Sequence, residues 1–269
     1  MKTKHLIPAL LLAIVLAGKT QAQTENKQQV TVPLSEPGKP CKVKVEALNG
    51  SIKVVGYEGK EVLVEVEAEK RDEPVSSGGM RRIGGGGTEV TAQEDNNVVT
   101  INAGISHILS IYVKVPANAS EVKASTVNDG NIVVDNISGQ IEINNVNGWI
   151  HCENVSGSVV ANTVNGDVTV GFKSVNPQAA MAFSTLNGKV DVTFPGDLKA
   201  KVKLKAEQGD VFSDFDVAVD KGQTSAEKPR GDHMYKITID DWVYGTINGG
   251  GPEIMMKTTN GNVYVRKAK

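Results

Sequence analysis

Residues 130–174 read GNIVVDNIS GQIEINNVN GWIHCENVS GSVVANTVN GDVTVGFKS when the chain is broken before Gly130, Gly139, Gly148, Gly157 and Gly166, five glycines spaced nine residues apart. The second and fourth residues after each glycine are apolar in every unit: Ile132 and Val134, Ile141 and Ile143, Ile150 and Cys152, Val159 and Ala161, Val168 and Val170. Residues two apart project from the same face of a strand, so each unit predicts a short strand with one buried face. The seventh position is apolar in the first four units (Ile137, Val146, Val155, Val164) and has the opposite parity. For it to point inward as well, the chain must turn a corner between the fourth and seventh residues.

That corner separates two folds. Asn-Gly pairs at 147–148, 165–166, 187–188 and 260–261 suit type I′ hairpins, and hence an antiparallel meander. The dipeptide before glycine instead alternates: Ile-Ser or Val-Ser at 137–138 and 155–156, Val-Asn at 146–147 and 164–165, so the full period is eighteen residues. Such a period describes a coil with two strands per rung and like corners stacked on like. It would place Ser138 over Ser156, Asn147 over Asn165 and Asn136 over Asn154, and stacked polar side chains that bond along the axis stabilise β-stacks. The pattern therefore predicts an all-β, parallel β-helix-like solenoid with two strands of roughly nine residues per rung. A lone rung cannot bury enough to offset the ordering of its backbone, so the array should fold as one body with covered ends.

Working outward, the same frame recurs at Gly50 (GSIKV), Gly188 (GKVDV) and Gly261 (GNVYV). Segments 42–47, 61–69, 98–101 and 111–115 alternate as strands without the nine-residue register. Residues 41–269 are thus expected to form a single solenoid domain. Residues 23–40 (QTENKQQVTVPLSEPGKP) are polar and proline-bearing and are expected as a linker or loosely attached edge. Before them, Lys2 and Lys4, the apolar run 6–18 and Thr20-Gln21-Ala22 have the form of a signal peptide over 1–22. Cys41 lies too far from that cleavage site to be a lipidated residue, and no later apolar run reaches the roughly 18 residues of a membrane span. The expected location is the periplasm or the cell surface. The net charge of the 269 residues is −2, and cleavage would remove three lysines (Lys2, Lys4, Lys19) and no acid, a balance that argues against a nucleic-acid partner.

With LNGSIKV at 48–54, Val-Asn-Gly-led strands between 146 and 170, and INGGGPEIMMKTTNGNVYVRK at 247–267, the chain resembles bacterial adhesin families of exported β-strand-repeat proteins without an assigned function, one of them an autotransporter-adhesin head. The resemblance implies a right-handed β-helix-like head, a role in adhesion or surface interaction, and no catalytic centre; it carries over no site residue and no cofactor.

The chemistry-bearing residues are few. Cys152 shares its position with Val134, Ile143 and Val170, so a buried apolar role is expected; pairing with Cys41 in an oxidising compartment is left open. His151 should point outward beside Trp149, as a partner-contacting pair or as surface decoration. Asp135 and Glu153, eighteen apart, should sit one rung apart, roughly 4.8 Å by strand spacing; they could bind a cation or act as an acid pair. In GDVFSDFDVAVD from Gly209, Asp214, Asp216 and Asp220 alternate with Phe215, Val217 and Val219, which predicts a half-buried strand with a solvated or calcium-binding face. His107, His151 and His233 lack zinc-ligand spacing, and no G-x-S-x-G elbow occurs. The loop SSGGMRRIGGGG at 76–87 lacks the Lys-Ser/Thr of a phosphate-binding loop; its Arg81 and Arg82 are solvated or touch an acidic glycan. Trp242 and Tyr244 should share a face that caps the last rungs or leaves a sticky edge.

No metal, cofactor or catalytic set converges. The reading is an exported, non-enzymatic interaction module for a glycan or cell-surface protein, with two rivals: a carbohydrate-active β-helix enzyme, a polysaccharide lyase or hydrolase, and an envelope scaffold or sensor with a protein partner.

Overall fold

The structure is a computed structural model that describes residues 27–68, 76–77, 80–81, 89–104, 108–220 and 242–269, in strands, turns and bends. The expected signal peptide, Arg82, His107 and His233 lie outside the described residues.

The repeat forms two walls of parallel strands. One, wall A, holds β2 (Lys42–Ala47), β8 (Val98–Ala103), β10 (Glu121–Ser125), β12 (Ser138–Asn144), the second half of β13 (Ile150–Asn162), β15 (Met181–Asn187), β17 (Ala200–Gln208) and β21 (Glu253–Asn260). The other, wall B, holds β3 (Gly50–Tyr57), β9 (Leu109–Pro116), β11 (Ile132–Asp135), the first half of β13, β14 (Val168–Val175), β16 (Val190–Phe194), β18 (Val211–Ser213) and β22 (Val263–Lys267). The spatial order is β8-β2-β10-β12-β13-β15-β21-β17 in wall A and β9-β3-β11-β13-β14-β16-β22-β18 in wall B. Each strand of one wall continues into one of the other, so the chain makes a parallel β-solenoid, not a meander.

In the centre the register is that of the eighteen-residue period. Ser138 lies opposite Ser156, Asn147 bridges Asn165, and Asn136 and Asn154 take the same left-handed corner at φ 56°. At both ends spatial order departs from chain order. The rung of β2 and β3, first in sequence, lies between those of β8/β9 and β10/β11. The rung of β21 and β22, last in sequence, lies between those of β15/β16 and β17/β18.

Antiparallel strands cover the ends. β4 (Glu61–Ala68) pairs with β9 and β1 (Lys27–Pro33) with β4, while β7 (Val90–Asp95) pairs with β8. At the opposite end β20 (Val243–Ile247) lies on β17 and β19 (Ala218–Val219) on β20. In the loop between β4 and β7, β5 (Ser76–Ser77) and β6 (Met80–Arg81) form a two-residue ladder.

All ten side chains predicted inward at the second and fourth positions of the repeat are buried. The corners correct the prediction for position seven. Ile137 and Val155 are fully buried, but Val146 is half-buried and Val164 is 37% exposed. At these corners the preceding residue turns in instead, and it is polar. Asn145 and Thr163 donate to the carbonyls of Gly130 and Gly148, each at 2.9 Å. Thr126, Thr185 and Thr258 do the same to Gly50, Gly166 and Gly188 at 2.9, 2.8 and 2.7 Å. A glycine carbonyl that points into the corner needs a donor from within, and a threonine or asparagine supplies it.

Within the interval 23–40, expected as a linker or loosely attached edge, Lys27–Pro33 is an edge strand that pairs with β4 and buries Val32, with Leu34 buried just after it. One further expectation changes. The half-buried strand expected from 209 to 220 is broken. The Ser213 hydroxyl accepts from the Phe215 amide and donates to the Phe215 carbonyl, both at 3.0 Å. The chain bends there, burying Phe215, and resumes only as the short β19 with Val219 exposed. Asp214, Asp216 and Asp220 therefore do not line one strand face.

Candidate binding groove

Outward-facing residues of wall A stack in rows, and one row decides where a ligand could sit. In register it runs Thr100, Lys44, Lys123, Glu142, Val160, Ala182, Met255, Lys203, Tyr244. Its first half belongs to a charged zipper: Lys123 pairs with Glu142 at 2.9 Å and Glu121 at 3.1 Å, and Lys42 with Glu121 at 3.1 Å. The Lys42 ammonium, bonded to Glu121, holds that carboxyl below the usual range. These charges satisfy one another.

The second half is apolar where a solvent face should be polar. Val160, Ala182 and Met255, from three adjacent rungs, floor a groove of about 460 Å³ whose lining includes Met181, Trp242, Lys203, Lys257 and Glu253. That volume lies within the usual range of small-ligand pockets, roughly 300–1,000 Å³. Trp242 stands immediately before β20, with Lys203 Nζ 4.5 Å from its ring centroid and 5.6 Å from that of Tyr244. The two aromatics thus share a face and cap the wall's edge, and Trp242 also lines the groove. Lys257 reaches Glu207 at 3.3 Å. An apolar floor, an indole, two ammonium groups and one carboxylate can hold an amphipathic ligand.

The groove was visible in the sequence only as a fault in alternation. Val159-Val160-Ala161, Met181-Ala182-Phe183 and Ile254-Met255-Met256 put apolar residues on both faces of three strands, and the topology that makes those strands neighbours is not a local property.

The candidates read from the sequence lie elsewhere. Asp135 and Glu153 are register partners in wall B, as the eighteen-residue spacing requires. Their side chains bond to different neighbours: Asn154 Nδ2 donates to Asp135 at 3.0 Å, and Glu153 lies 3.5 Å from His151 Nε2. Lys173 reaches the same corner through Asn136 Oδ1 at 3.3 Å. His151 faces outward in a T-shaped contact with Trp149, which is 43% exposed. Asp214 accepts from the Lys267 amide at 3.3 Å. Among the described residues no three His, Cys, Asp or Glu side chains are grouped to hold a metal ion. Cys41 and Cys152 are free and buried. Burial pushes the Cys41 thiol up and that of Cys152 up to about 12, which disfavours the thiolate that a nucleophile needs.

The family model for the Toastrack domain DUF4097 matches residues 14–266. The chain belongs to the Toastrack DUF4097 family. No curated protein matches the sequence. A solved structure from Clostridium sporogenes, named "putative cell adhesion protein", is similar over 90% of this chain and 100% of its own, with a TM-score of 0.52 and 10% identity. At that identity the likeness concerns the fold. For this Toastrack chain the adhesin resemblance read from the sequence is met by an unknown-function β-solenoid family, and adhesion enters through the name of one distant structure. Among the described residues no helix is long and apolar enough to cross a membrane.

Proposed function

We propose that this Toastrack protein is an exported, non-enzymatic interaction module that holds a surface glycan or protein in the groove of wall A. The observation that carries the reading is the row in which Val160, Ala182 and Met255 replace the charges of the preceding rungs beside Trp242. A concave, mostly apolar lining with a few placed polar groups is the usual form of a ligand site. The name of the Clostridium sporogenes structure agrees with such a role. The rival enzyme reading needs Asp135 and Glu153 to act together, yet they sit on the opposite wall, each engaged by a different neighbour.

The test is a glycan-array screen of the mature protein with reducing-end assays on every polysaccharide bound, run beside Trp242→Ala and Met255→Lys. Binding without turnover that both variants abolish is the expected result. Product release would move the protein to the enzyme class, and binding indifferent to both variants would remove the groove. No glycan binding at all would leave the scaffold or sensor reading, with a protein partner.

A further inference from the structure

The chain contains six Asn-Gly peptides, at Asn49, Asn147, Asn165, Asn187, Asn248 and Asn260. In this dipeptide the glycine nitrogen is unhindered and can attack the asparagine Cγ after giving its proton to water or hydroxide. The new C–N bond closes a five-membered imide and the side-chain nitrogen leaves as ammonia. Water then opens the imide at either carbonyl, leaving aspartate or isoaspartate. The attack requires the side chain to swing over its own peptide into a near-attack geometry.

Five of these asparagines stand, with Asn128, in one ladder along a corner of the solenoid. Asn128 donates to Asn49 Oδ1 at 3.2 Å, Asn147 to Asn128 at 3.4 Å, Asn165 to Asn147 at 2.8 Å, Asn187 to Asn165 at 2.7 Å and Asn260 to Asn187 at 2.6 Å. Asn147, Asn165 and Asn187 are each held through both amide atoms. Asn260 is held through its nitrogen only: its neighbour on the next rung is Gln208, and among the described residues no donor reaches its Oδ1.

The attacking nitrogens differ in the same direction. The amides of Gly148, Gly166 and Gly188 donate to the next rung at 2.8, 2.8 and 2.9 Å, whereas that of Gly261 reaches Gln208 at 3.3 Å. Asn248, in the turn after β20, lies outside the ladder and donates once, to the Leu198 carbonyl at 2.8 Å.

We propose that the ladder shields its inner Asn-Gly peptides from deamidation, and that the folded protein is modified first at its open end, Asn260, and at Asn248. The change at Asn260 has a consequence for the ladder. A carboxylate there cannot donate to Asn187 Oδ1, so Asn187 becomes the new end and the next site to convert. Each event adds one negative charge to the corner.

The test is peptide mapping by mass spectrometry of the folded protein held at mildly alkaline pH, with a parallel sample in denaturant. One or two extra hydrogen bonds to break predicts conversion at Asn260 and Asn248 roughly tenfold faster than at Asn147 and Asn165, and convergence of the rates in denaturant. Equal rates in the folded protein, or a difference that persists in denaturant, would overturn the proposal. Asn187→Ala, which removes the donor to Asn165 Oδ1, should accelerate Asn165 while Asn147 stays slow. No acceleration at Asn165, or the same acceleration at Asn147, counts against the ladder.

Discussion

Thr163 shows how a single side chain settles a corner. Its hydroxyl is buried and donates to the Gly148 carbonyl at 2.9 Å, so Thr163→Val keeps the shape and leaves a buried acceptor unpaired. The expected loss is about 1–3 kcal/mol, measured by urea unfolding, against less than about 0.5 kcal/mol for Val164→Thr at the exposed neighbour. Position seven was misread at this corner because Val146 and Val164 look apolar in sequence, whereas the need of a glycine carbonyl for a donor leaves no mark on hydrophobic periodicity. Cys152 was legible for the opposite reason: it repeats the position of Val134 and Val170, and both it and they are buried to within 1%. Cys152→Asp places a carboxylate in a stacked apolar core and should lower stability by more than about 4 kcal/mol, read as loss of the unfolding transition at room temperature.

Between elements, the order of the strands rests on contacts that short-range pattern does not announce. Ser35, just after β1, donates its amide and hydroxyl to the Glu94 carboxylate of β7 at 3.0 and 2.9 Å, and the Asn97 amide adds a third bond at 2.9 Å. The Ser35 backbone bond first, with the other two, holds the Glu94 carboxyl below its ordinary range. A depressed carboxyl favours the folded state above its unfolded pKa, and that contribution is lost as pH falls through the folded value. Acid below the usual glutamate range should therefore free the segment after β1 before the core yields. Hydrogen exchange at Ser35 and Asn97 should quicken there in the native protein, and Glu94→Gln should flatten the pH dependence; an unchanged profile would refute the clamp. The polar, proline-bearing composition of 23–40 concealed this attachment, because Glu94 lies 59 residues from Ser35. The strands of the repeat were legible by contrast: each is fixed by residues two apart, and each pairs with a copy one period away.

For the whole molecule, the eighteen-residue period describes the centre and fails at the ends, where spatial and chain order part. Nothing in the composition of β21 or β22 says that they lie inside the stack; they carry the same GNVYV frame as an edge rung would. Their neighbours on one side, β15 and β16, pair with them 73 residues away, and those on the other, β17 and β18, 52 residues away. The last rung in sequence therefore joins two parts of the array that do not otherwise pair in parallel. In a solenoid whose stability is a sum over neighbouring rungs, removing an inner rung costs two interfaces and removing an edge strand costs one. Two truncations separate these cases. Deletion of residues 23–40 should leave a cooperatively folding protein with a modest loss, since β1 contributes one antiparallel pairing and buries little besides Val32 and Leu34. Deletion of residues 253–269 exposes Phe183, Phe194 and Leu204, which are buried in the intact stack, and strips both walls of a strand at once. Its urea transition should broaden with a lower m-value, the sign of a lost cooperative unit. If the C-terminal deletion instead unfolded in one sharp transition near the intact midpoint, β17 and β18 would have closed directly onto β15 and β16, and the last rung would be an insertion the fold can do without.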